Sequence, residues 1–134
     1  MSSLQPAPIQ GLSEHLRGVL EVCQRALEAP WDEATRQRFL QEMAGHLQGD
    51  QQRIQAFLGR LEKADREQDL SPVDPIIFEG MGRFQEAVSI LLEFTGTFEA
   101  ALLQEVEDCC REGDELLLEA EQELANLRQA EPAE

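Results

Sequence analysis

The sequence predicts an all-α fold: a helical bundle of three helices with a long C-terminal third helix, or of four if the chain breaks near Gly96. Three observations carry this prediction. Apolar residues recur at steps of three and four from Leu12 to Leu127, the period of helices with one buried face. No stretch alternates apolar and polar residues as a half-buried strand does. The strongest punctuation, Ala29-Pro30 and Ser71-Pro72-Val73-Asp74-Pro75, falls between periodic segments. With 134 residues the chain has room for one ordinary domain, expected over residues 9–128, with a flexible N-terminal arm at 1–8 and a flexible tail at 129–134.

The arm is polar and carries Pro6 and Pro8. The first helix is expected from Ile9 or Leu12 to Glu28, with Leu12, Leu16, Val19, Cys23 and Leu27 on its apolar face; Ala29-Pro30 ends it. The second starts near Trp31 or Asp32, where acidic residues meet the positive end of the helix dipole. Its stripe is Phe39, Met43, His46 or Leu47, Ile54, Phe57 or Leu58, and Leu61. Gly49-Asp50 marks a possible bend within it, and the helix fades over Lys63–Asp69. In the proline-rich connector, Asp74 is placed to cap the next helix and Pro75 to open it.

From Ile76 the pattern lengthens. Ile77, Met81, Phe84, Val88, Leu91, Phe98 and Leu102 follow a heptad phase that continues past Thr95-Gly96-Thr97 to Leu116 and Leu117. The unbroken phase favours one continuous helix, about 75–80 Å long at 1.5 Å per residue. Such a helix outruns the first two and leaves apolar surface bare, and a bare heptad stripe finds a second chain. Those nine residues are therefore the expected interface, and self-association, as a homodimer, the expected state.

Composition narrows the partners. The 27 Asp and Glu against 11 Lys and Arg give a net charge of −16. Phosphate contacts need clustered cations, so nucleic acid is not an expected partner. No apolar run is long enough for a transmembrane helix, and the first residues lack the basic-then-apolar pattern of a secretory leader, so no membrane insertion and a cytoplasmic location are expected. The charge is uneven: residues 1–84 carry 13 acids and 9 bases, residues 85–134 carry 14 and 2. One Lys, one Asn and no Tyr match the bias of a GC-rich, bacterial coding sequence.

No constellation points to catalysis. Glycine-rich phosphate loops and nucleophile elbows are absent, and only His15 and His46 are available as imidazoles. Glu14-His15 and Glu42-His46 miss the Glu-x-x-His spacing of di-iron bundles, and no Cys-x-x-Cys presents a zinc site. The run His46-Leu47-Gln48-Gly49 lacks the lysine of histidine phosphotransfer motifs. Cys109 and Cys110 are adjacent, amid acids that suppress thiolate formation, and with Cys23 make an odd set of reduced thiols. No catalytic residue, metal or cofactor is assigned. The expected function is that of a non-catalytic acidic interaction protein, adaptor or chaperone-like. The alternatives are a metal- or ligand-binding bundle using its His and Glu side chains, and an acidic mimic that binds a basic nucleic-acid-binding protein.

Overall fold

The computed structural model describes residues 7–69 and 71–130, and within them holds four α-helices and no strand: α1 (Ala7–Glu28), α2 (Glu33–Arg66), α3 (Asp74–Thr97) and α4 (Ala101–Ala130). Ala7 and Pro8, expected in the arm, form the first turn of α1, where proline's missing N–H leaves no bond unmade. The rest of the arm and residues 131–134 of the expected tail lie outside the described residues, whereas 129 and 130 complete α4.

Asp32 is the N-cap of α2; its carboxylate accepts the Thr35 N–H at 2.8 Å. That hydrogen bond holds the Asp32 carboxyl below the usual carboxylate range. The helix continues without interruption through Gly49-Asp50, where Asp50 is buried and bonded rather than turned to solvent. At the connector the expectation for Asp74 is corrected. It is the first residue of α3, not its cap; Val73 occupies the cap position without a side-chain bond, and Asp74 reaches back to accept the Ser71 N–H at 2.9 Å.

Of the two arrangements expected, the four-helix one broken near Gly96 is found, and the continuous third helix is not. The chain breaks after Thr97, at a residue with a full side chain: Phe98 adopts a left-handed conformation, φ 55° and ψ 33°, and its N–H closes on the Phe94 carbonyl at 2.8 Å. Left-handed backbone is costly for a bulky residue. Here the ring is held from two sides, by Phe94 at 5.3 Å between centroids and by the Arg36 guanidinium 5.1 Å above it. Three residues then lead into α4. A continuous heptad phase did not require a continuous helix: two antiparallel helices facing one core each carry such a stripe, and a short turn can leave them in phase.

In the bundle α3 packs against the other three helices, most extensively α4 and then α2, while α1 lies on α4 and α3. Phe84, Phe94, Leu91, Val88, Leu16, Cys23, Leu47, Leu61, Val106 and Cys110 are fully buried between them. Leu47, not His46, and Phe57 more than Leu58, take the interior positions of α2. Two glycines let α3 and α4 approach closely. Gly113 faces the Phe84 ring so closely that a Cβ there would sit 2.8–3.0 Å from three ring carbons, and a Cβ on Gly80 would come within 3.2–3.4 Å of Leu116 and Leu117.

Candidate functional site

The residues expected to form an interface divide sharply. Met81, Phe84, Val88, Leu91 and Leu102 are buried inside the single chain, in one core with α1 and α2. Ile77, Phe98, Leu116 and Leu117 are half-buried at its edges. The premise of a stripe left bare by a long helix therefore falls: breaking at Phe98 folds α4 back along α3, and each half of the stripe covers the other.

The remaining chemistry-bearing groups are also placed. His15 Nε2 donates a 2.8 Å hydrogen bond to Asp50 Oδ2, joining α1 to α2; Arg53 contacts the other Asp50 oxygen. The buried carboxylate is thereby paired, as one 3% exposed must be. His46, Glu14 and Glu42 are exposed. Among the described residues no three His, Cys, Asp or Glu side chains gather as metal ligands would. The cysteines are reduced and buried. Loss of hydration pushes all three thiols up to about 11, and Glu86 and Glu112 add to the effect at Cys109. Thiols of that kind are not nucleophiles near neutral pH.

Charge organises the surface. On the side of α4 facing α1, Arg17 bridges Glu107 at 2.9 Å and Asp114 at 2.8 Å; these bonds, Asp114 first, hold its proton more tightly than usual. The side facing α3 is different. There Glu79 and Arg83 of α3 with Glu112, Glu115, Leu116 and Glu119 of α4 line an open depression of about 310 Å³. Arg83 is already engaged, with Glu86 at 3.1 Å and Glu112 at 3.5 Å. Glu79, Glu115 and Glu119 have no cation within 4 Å among the described residues. Leu118, outside the depression, is 53% exposed. The three consecutive leucines of the sequence thus spread around α4, with Leu117 against Gly80, Leu116 at the groove and Leu118 in solvent.

The arrangement offers carboxylates in excess beside apolar surface. Sequence reading found the acidic last segment and the leucine run. It missed that α3 contributes Glu79, and it missed a second cavity, of about 250 Å³, between the end of α2 and the start of α3, lined by Leu61, Glu62, Asp65, Asp74, Pro75 and Phe78. Phe78 sits directly after Ile76-Ile77 and gives no sequence signal that it faces outward. No helix among the described residues is long and apolar enough to cross a membrane. Comparison with protein-family models, curated proteins and solved structures finds no match to this chain.

Proposed function

We propose that the protein is a non-catalytic binding module, adaptor or chaperone-like, whose α3–α4 face takes a basic amphipathic segment of another protein. One observation supports this above the others: three of the four carboxylates around the α3–α4 depression lack a cation, and Leu116 lies among them. Uncompensated like charges raise the energy of the unbound protein and draw cations to it. A segment that combines Lys or Arg with aliphatic residues both relieves the repulsion and covers Leu116. A basic nucleic-acid-binding protein carries such segments, so the mimic reading is one case of this function. A second copy of the chain fits less well, since it brings another acidic face and the heptad stripe is occupied.

The test is calorimetric titration of the full chain with a synthetic Lys/Arg/Leu amphipathic peptide at low and high salt. The expected result is binding that weakens as salt rises and weakens several-fold in the Glu115→Gln/Glu119→Gln variant. Affinity indifferent to salt and to both substitutions refutes the reading. Native mass spectrometry of the same sample gives the subunit count, and a stable dimer of wild-type protein would restore self-association in its place.

A further inference from the structure

We infer that the cavity between α2 and α3 is the anchor site for one arginine side chain of that basic partner segment, an inference that rests on the function proposed above and makes it specific. The cavity has room for one long side chain, about 250 Å³, and two kinds of wall. Leu61 and Pro75 are apolar; Glu62, Asp65 and Asp74 are carboxylates; Phe78 presents a ring that is 38% exposed.

Two features distinguish this place from an ordinary patch of acids. Asp74 is only 5% exposed, yet just one of its oxygens is used: Oδ2 accepts the Ser71 N–H, while Oδ1 has no hydrogen-bond partner among the described residues and is not sealed from solvent. That oxygen keeps its acceptor capacity for a donor that enters the cavity. Among the described residues none fills it. Lys63 and Arg66 lie on the same turns of α2, but neither comes within 4 Å of a carboxylate among the described residues. The second feature is Phe78. Of the large apolar side chains exposed among the described residues (Val22, Trp31, Phe78 and Leu118), it alone lines this cavity.

A guanidinium satisfies both features at once. It stacks flat on a phenyl ring, and its planar fork donates to carboxylates from several N–H groups while its aliphatic stem lies along apolar walls. An ammonium satisfies the carboxylates but has no plane to lay on Phe78. The cavity also sits where a partner on the α3–α4 face would reach it: Phe78 lines it, and the next residue, Glu79, lines the acidic depression on the other side of α3. One segment crossing this turn of α3 engages both.

The experiment is an amide chemical-shift titration of isotope-labelled full-length protein with an arginine-rich amphipathic peptide, its citrulline version (same shape, no charge) and its lysine version. The inference expects shifts at Asp74 and Phe78 as well as at Glu115 and Glu119, loss of binding with citrulline, and tighter binding of arginine than of lysine. Phe78→Ala is expected to weaken the arginine peptide about fivefold and to erase its advantage over lysine, while Phe78→Tyr retains both. Glu62→Gln/Asp65→Asn weakens arginine and lysine peptides alike. All of these positions are exposed, so the fold is retained and circular dichroism verifies it. If the peptide binds with shifts confined to α4, and Phe78→Ala changes nothing, the anchor site is overturned and the α3–α4 reading stands. If the peptide does not bind wild-type protein at all, both fall.

Discussion

Replacing Gly113 by alanine tests the packing of the α3–α4 seam with a single methyl group. In an unencumbered helix interior this change stabilises by up to about 1 kcal/mol, because glycine has more backbone entropy to lose. The structure opposes it. The new Cβ would lie 2.8, 2.9 and 3.0 Å from three carbons of the Phe84 ring, where relaxed carbon contacts are about 3.5–4.0 Å. The ring must therefore withdraw by roughly 0.7–1 Å against a contact distance of that size, and Phe84 is 0% exposed, enclosed on every side. Overpacking of a closed core costs about 1–3 kcal/mol, and a shift this large belongs at the upper end. The net expectation is a loss of about 2 kcal/mol, the difference between that strain and the helix-propensity gain. Gly59, in the middle of α2, has nothing within 4 Å of a built Cβ, so the identical change there gains up to about 1 kcal/mol. Urea unfolding followed by far-ultraviolet circular dichroism measures both. The substitutions should move the midpoint in opposite directions, and adding Phe84→Leu to Gly113→Ala should cost less than the two separate changes predict. A Gly113→Ala protein as stable as wild type would refute the argument, since it would mean the ring has somewhere to go.

Three further outcomes follow from burial. Cys23, Cys109 and Cys110 should resist alkylation in the native protein and react only on unfolding. Their thiols titrate near 11 in the fold against about 9 ordinarily, so the native state holds protons that the unfolded chain has released. This contribution is complete below about pH 9 and is lost as pH rises towards 11, at up to about 3 kcal/mol per thiol; a stability profile flat across that window in wild type, or equally steep in a triple Cys→Ala variant, would contradict it. Leu91→Glu places a carboxylate at a position with 0% exposure. A buried unpaired charge costs more than about 4 kcal/mol from a total of about 5–15, so the variant should lose its helical circular dichroism rather than yield a folded monomer, and a folded variant with unchanged melting temperature would put this face at the surface.

How far the sequence foretold the structure depends on which signal each residue carried. Period and punctuation located α1, α2 and the start of α3, because proline and a capping Asp32 act within a few residues of themselves. The break at Phe98 was not legible in the same way. Thr95-Gly96-Thr97 marks the neighbourhood, but the residue that turns is an aromatic, held in left-handed backbone by Phe94 and by Arg36 from sixty positions earlier in the chain. Local propensity contains no trace of that contact. The acidic face was half legible: Glu112, Glu115 and Glu119 recur on α4, but Glu79 joins them only once α4 has folded back. The α2–α3 cavity was illegible, since Asp74 read as a helix cap and Phe78 as one more apolar residue in a run.

The two glycines of the α3–α4 seam have a consequence for the order in which the molecule assembles. The most extensive packing in the bundle lies between helices joined by three residues, so it forms at the smallest loop-closure cost. The α1–α4 contacts, in contrast, tie Arg17 to residues 90 and 97 positions away, and α1 has little backbone contact with α2, its neighbour in the chain. The hairpin of α3 and α4 is thus the natural nucleus, with α2 docking on it and α1 closing the ring last. Amide exchange in the native state reads this as a gradient of protection, deepest around Phe84 and Gly113 and shallowest along α1. A partner seated on α3 and α4 would then grip the part of the protein that forms first and opens last.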